Sequence, residues 1–162
     1  MLFMRLLSVG CLLVGNVATA EYCVDNIHST APDSRFLDNG NGTITDLVAS
    51  LVWKRCAEGL SGAECEVGSP ETFTWQAALQ RAEEANFAGN TDWRLPNKNE
   101  LASLVELRCA APAANTNFFP NTPYDFPWQV LIWSSTVFLN SSAWAVDFYY
   151  GEVERSRFST AY

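Results

Sequence analysis

The sequence predicts an α+β domain: two helices packed on short antiparallel sheets and stapled by disulfides. Three observations carry that reading. Residues 74–88 and 97–109 place apolar side chains at helical spacing. An Asn-Gly turn stands between two short strand-like runs at 36–46. Residues 143–150 alternate with the period of a half-buried strand. The chain is 162 residues and 18.0 kDa, enough for one domain of ordinary size. Hydrophobic residues make up 48% and charged ones 17%, which permits a sizeable core and argues against wholesale disorder. A net charge of −8 disfavours a general nucleic-acid binder and a polybasic membrane-surface protein. With His28 as the single histidine, a three-His metal centre is excluded.

Residues 1–20 read as a secretory signal. Arg5 precedes a short apolar run, and Ala18-Thr19-Ala20 forms a small-residue cleavage site before Glu21. The apolar run is too short to span a bilayer. Cleavage removes Arg5 and leaves nine basic residues against 18 acidic, a net charge of −9. Cys11 leaves with the signal. An exported chain with an even number of remaining cysteines predicts disulfides. Cys56 and Cys65 flank a Gly-containing loop that turns back on itself, which leaves Cys23 to pair with Cys109. Chain entropy alone makes the short bridge worth about 2.7 kcal/mol and the long one about 4.6 kcal/mol. Zinc is disfavoured because no C-x-x-C pair exists.

Residues 21–34 form an N-terminal lead-in, and the domain itself covers 35–162. Phe36-Leu37-Asp38 and Thr43-Ile44-Thr45-Asp46 are joined by Asn39-Gly40-Asn41-Gly42, residues that accept positive φ, so a hairpin is expected. A calcium loop starting at Asp38 fails at its fifth position, Gly42. Residues 50–54 give a further strand. The first helix, 74–88, buries Trp75, Ala78, Leu79, Ala82, Ala85 and Asn86 and stops at Gly89-Asn90. Asn97 caps the second helix, with Glu100 reaching back to its N–H, and Leu101, Leu104 and Val105 form the buried stripe. Four prolines make 110–130 irregular. Strands follow at 131–137, at 143–150 and at 152–158. The second of these should place Trp144, Val146, Phe148 and Tyr150 on one face and Ala145, Asp147 and Tyr149 on the other.

Several phrases then resemble the Lcl C-terminal domain family, named for the C-terminal domain of a collagen-like bacterial adhesin. They are Arg35-Phe36-Leu37-Asp38-Asn39-Gly40-Asn41-Gly42-Thr43-Ile44-Thr45-Asp46, Leu51-Val52-Trp53-Lys54-Arg55-Cys56 and Thr74-Trp75-Gln76-Ala77-Ala78-Leu79. Asp92-Trp93-Arg94-Leu95-Pro96-Asn97-Lys98-Asn99-Glu100-Leu101, Asn115 with Pro120-Asn121-Thr122-Pro123, Trp133-Ser134-Ser135-Thr136 and Ala143-Trp144-Ala145-Val146-Asp147-Phe148 continue the match, in order, to about residue 151. The resemblance implies a C-type-lectin-like fold akin to sulfatase-modifying-factor domains. It also implies an exported bacterial protein with an adhesin-like role at the cell surface. Three departures stand out. Relatives continue past the equivalent of Tyr162 in a closing strand, the loop 124–130 is longer and more aromatic here, and no collagen-like stalk is present.

Function is therefore expected to be non-enzymatic recognition of a glycan or a cell-surface protein. The alternatives are a structural subunit that self-associates in an extracellular assembly, and a sulfatase-modifying-factor-like enzyme. No catalytic residue, metal or cofactor is expected, because each mature cysteine is assigned to a disulfide and His28 lies outside the matched region. Trp53, Trp75, Trp93, Trp133 and Trp144 are assigned to the core. Trp128 instead sits in a Pro-rich loop with Tyr124, Asp125 and Phe126, either as a ligand-contacting group or folded down on the sheet. These four residues, with Asn140 in the loop 138–142, are the candidate ligand contacts. Asp92, Arg94 and Glu100 are read as an internal Asp-Arg pair plus the helix cap. Asp125 and the net charge of −9 oppose strongly sulfated ligands, so neutral glycans or a protein surface, bound with weak salt dependence, are expected.

Overall fold

The computed structural model describes residues 22–123 and 131–162. In chain order come β1 (Tyr22–Cys23), a 3-10 turn (Asp33–Arg35), β2 (Phe36–Asp38), β3 (Thr43–Asp46), β4 (Leu51–Lys54), β5 (Leu60–Ser61) and β6 (Val67–Gly68). Then follow α1 (Trp75–Glu83), α2 (Lys98–Ala102), β7 (Cys109–Ala110), β8 (Leu131–Phe138), β9 (Ser142–Asp147) and β10 (Glu152–Arg157). Among the described residues the strands form four small antiparallel sheets: β2-β3-β4, β8-β9-β10, β1-β7 and β5-β6. The mixed α and β content, the two helices and the small antiparallel sheets agree with the α+β expectation.

The hairpin of β2 and β3 pairs Phe36 with Asp46 and Asp38 with Ile44, closed by Asn39 N–H donating to Thr43 O at 3.0 Å. Gly40 and Gly42 take φ of 72° and 84°, which explains glycine at both places. Ile44 is wholly buried and anchors the larger core with Phe36, Leu101, Leu104, Val105, Val146 and Phe148. A second core gathers Ala78, Leu131, Trp133, Ala143 and Ala145, with Phe73, Trp75, Phe158 and Tyr162 against it.

β9 lies between these two cores, with Trp144 and Val146 on one face and Ala145 and Asp147 on the other as expected, but it is shorter than its alternation suggests and covered on both faces. Ala145 and Asp147 are as fully buried as Val146, and the strand ends at Asp147. Tyr150 falls in the following turn and is half-exposed. A central strand covered on both faces loses the apolar-polar contrast that alternation assumes. Gly151 then turns the chain at φ 79°; a Cβ there would meet Val105 Cγ1 at 2.6 Å.

Both helices are shorter than their periodicity suggests. Thr74 caps α1, but the helix ends at Glu83 rather than Ala88. Phe87 and Asn90 exchange backbone hydrogen bonds of 3.1 and 3.0 Å around Ala88-Gly89, so the apolar residues beyond Glu84 belong to a turn. Asn86, placed on the buried stripe, is exposed. In α2 the capping box of Asn97 and Glu100 is complete, yet the helix stops at Ala102. The Ser103 hydroxyl donates to Glu100 O at 2.7 Å, and Val105 bridges to Ala114. Leu101, Leu104 and Val105 are buried all the same.

Two disulfides staple the fold, Cys23–Cys109 and Cys56–Cys65. The first joins paired positions of β1 and β7. Residues 22–34 are bound into the body: Ala31 is 1% exposed in the larger core, and the Asn115 amide donates to Ala31 O at 2.9 Å. At the other end, Phe73 N–H donates to Tyr162 O and Tyr162 N–H to Phe73 O, while Trp75 stacks on Phe158 at 4.4 Å. Residues 158–162 thus close over the entry to α1.

Candidate functional site

Of the sequence-derived contacts, Tyr124, Asp125, Phe126 and Trp128 lie outside the described residues. Asn140 is exposed in the turn between β8 and β9, next to Leu139, whose φ is 59°. That turn brings with it a group of side chains that were not singled out from the sequence.

The β8–β9 ladder shifts register between Trp133 and Val137 and resumes with Phe138 opposite Ser142. Phe138 and Trp144 consequently share a face, their rings edge to face with centroids 5.0 Å apart. Arg155 stands opposite Trp144 and Arg157 opposite Ser142 on β10. The Arg155 guanidinium lies 5.2 Å over the Phe138 ring, and Lys98 Nζ lies 4.8 Å over Trp144. The start of α2 places Lys98: Asn97 caps the helix, and Lys98 N–H donates to Thr136 Oγ1 at 2.9 Å. Glu152 and Glu154 alternate onto the opposite face of β10. Trp144, assigned to the core from sequence, is therefore half-buried beneath a cation. A trace was present in Glu152-Val153-Glu154-Arg155-Ser156-Arg157, where alternation sorts the two arginines from the two acids.

Charge pairing sets this group apart. Among the described residues Arg35, Lys54, Arg55, Arg81, Arg94 and Arg108 each pair with a carboxylate. The three cations in no such pair are Lys98, Arg155 and Arg157. All three stand at the β8–β9 end, whose turn carries Leu139, 73% exposed; Val137, 51% exposed, pairs with Ala143 and so lies on the opposite face.

The motif around Arg94 resolves differently from the expected Asp-Arg pair. Arg94 makes a bidentate contact with Glu100, both bonds 2.8 Å, while Asp92 is exposed and outside that contact. The Glu100 carboxylate is held below the ordinary range by Arg94, against partial burial, with help from Asn97 N–H. Glu100 thus completes the helix cap and neutralises Arg94 at once, so the geometry favours Glu100 over Asp92 as the partner. An open cleft of about 1400 Å³ runs beside it, with Trp53, Phe87, Trp93 and Tyr149 in its wall. Pro123 and Leu131 also line it, so the described residues do not close its outline.

The interior ionic groups are structural. Arg35 Nε donates to Asp46 Oδ1 at 2.9 Å and Nη2 to Oδ2, and the same guanidinium reaches Ser103 O and Oγ. Burial opposes ionisation of Asp46, but Arg35 and the N–H groups of Ala49 and Val48 outweigh it and hold the pKa down. Glu106, 3% exposed, accepts from the Ser29 hydroxyl and from the N–H of Thr30, Ala31 and Arg108. Burial again works against the charge, and those donors prevail, so its pKa is lowered. Neither carboxylate has a free face for a substrate. Among the described residues no group of His, Cys, Asp or Glu is arranged to hold a metal.

Comparison with known proteins gives one family. The family model of the Lcl C-terminal domain matches residues 42–162. No curated protein and no solved structure matches the chain.

Proposed function

The chain belongs to the Lcl C-terminal domain family, and from that premise we propose an exported, non-enzymatic recognition module that binds a glycan or a protein at the bacterial cell surface, in the manner of an adhesin. The observation that carries this reading is the exposed group at the β8–β9 end. Two aromatic rings and three cations with no carboxylate partner among the described residues stand there, and Asn140 is exposed in the adjoining turn. Recognition sites gather such side chains on loops carried by a rigid sheet. Two disulfides accord with an oxidising compartment, reached by cleavage after Ala20. Among the described residues no helix is long and apolar enough to cross a membrane. Paired small sheets with two helices accord with a C-type-lectin-like architecture. All four described cysteines are in disulfides, which leaves no thiol for sulfatase-modifying chemistry. Tyr124, Asp125, Phe126 and Trp128 are proposed as further contacts.

A glycan array run beside a pull-down from envelope extract tests the reading. A saturable partner from either, lost when Asn140, Phe138 and Trp144 are replaced, is the expected result. Binding to neither, by protein whose disulfides are intact, would sink it. Light scattering separates it from the structural alternative, which requires self-association.

A further inference from the structure

We propose that the β8–β9 end binds an acidic peptide segment of a protein partner, its carboxylates on Lys98, Arg155 and Arg157 and an aliphatic side chain against Leu139. The inference rests on the recognition reading above and names the chemistry of that site.

Acids outnumber cations two to one once the signal is removed, yet three cations stand together with no carboxylate between them among the described residues. The acids on the same strand, Glu152 and Glu154, alternate to the other face, and Glu100 is occupied by Arg94. Two of the cations are already oriented. A guanidinium resting on the face of Phe138 keeps its N–H edge free, and that edge matches the two oxygens of a carboxylate. Lys98 is fixed at both ends, by the helix start and by the Trp144 ring. Ordering these side chains on binding therefore costs little rotamer entropy.

The rim decides the class of partner. Leu139, in the turn between β8 and β9, is large, aliphatic and 73% exposed. Covering it with an apolar side chain removes both surfaces from water, whereas sugar hydroxyls placed there would lose water and gain no partner. The acidic remainder of the molecule also repels a long polyanion but tolerates a short segment whose charge is confined to this end. The whole-chain charge thus predicts weak salt dependence, while the local arrangement predicts a clear one.

Fluorescence anisotropy of the exported, disulfide-bonded protein tests this with three probes: a peptide of alternating Glu and Leu, the same peptide with Gln for Glu, and a size-matched sulfated oligosaccharide. The Glu-Leu peptide should bind, and its affinity should fall as salt rises. The Gln peptide, and the combined Lys98→Gln, Arg155→Gln, Arg157→Gln protein against the Glu-Leu peptide, should each bind about tenfold more weakly or worse. Leu139→Ser should weaken the peptide about threefold. Arg157→Gln alone touches neither ring, so a partial loss at unchanged melting temperature separates binding from folding. Equal affinity for the Gln peptide, an unaffected triple variant, or binding of the oligosaccharide alone would overturn the proposal. If the glycan array still reports a partner in that case, only this inference falls and the recognition reading stands.

Discussion

Arg35 and Arg155 are the same residue type in opposite circumstances. Arg35 is 7% exposed and spends its donors on Asp46 and Ser103, joining the first hairpin to the end of α2. Arg155 is exposed, lies on a ring and meets no carboxylate among the described residues. Taking a guanidinium out of water costs several kcal/mol, so a buried one must be paired for the chain to fold at all. An exposed one carries no such obligation. Partners around Arg35 therefore report on folding, while their absence around Arg155 leaves that side chain open to another molecule.

The largest effect should come from breaking the buried side of this contrast. Arg35→Met leaves Asp46 as a lone interior charge, and a loss of about 3–5 kcal/mol in urea unfolding is expected. Asp46→Leu should cost as much, since it also strips the acceptor from the N–H groups of Val48 and Ala49, both at 3.0 Å. A loss below about 1 kcal/mol in either variant would place the pair in solvent. Next in size is the bridge that ties in the N-terminal segment. Replacing Cys23 and Cys109 by Ala opens a loop of sequence separation 86 and should cost about 2–4 kcal/mol, more than opening Cys56–Cys65 with its separation of 9. Thermal unfolding of the two double variants checks the order.

How legible this was depended on how local the cause was. The Asn-Gly hairpin and the Asn97–Glu100 capping box are written in a few adjacent residues, and the structure has them. Helix ends were misread where the deciding contact is non-local or falls beyond the apolar stripe, as with the Val105–Ala114 bridge. The end of β9 was misread because the alternation runs on through Phe148 to Tyr150, which belong to the turn that follows. The Lys98, Trp144, Phe138 and Arg155 group was missed because its members come from three separate segments, joined only by strand register. Net charge hid it too, since a sum of −8 contains no information on where the unpaired cations stand.

A smaller effect should appear on acidification. Asp46 and Glu106 both have folded-state pKa values below their unfolded ones. The folded state binds their protons less readily, so the stability they supply is complete above the ordinary carboxylate range. It is lost as pH falls through the lowered values. Stability should accordingly be level near neutrality and drop below about pH 4. Glu106→Gln should flatten part of that drop while lowering the plateau, because an amide nitrogen then faces the N–H of either Thr30 or Ala31, which bond different carboxylate oxygens. A variant with the wild-type acid limb would remove Glu106 from the account.

The smallest effect on stability is expected where the effect on binding is largest. Lys98→Gln and Arg155→Gln each surrender a cation–ring contact at partial exposure, worth no more than about 1 kcal/mol. Arg157→Gln has no ring to lose and should fall within about 0.5 kcal/mol. Removing all three carries the net charge of the chain from −8 to −11, which adds general repulsion among the acids. That added part is screenable, so the triple variant should approach wild-type stability as salt rises, unlike Arg35→Met, whose lone Asp46 is shielded from ions. Unfolding at low and high salt therefore separates the two groups by response as well as by size. If the triple variant proved as unstable as Arg35→Met and insensitive to salt, the three cations would be holding the sheet together, and their open side would no longer argue for a partner.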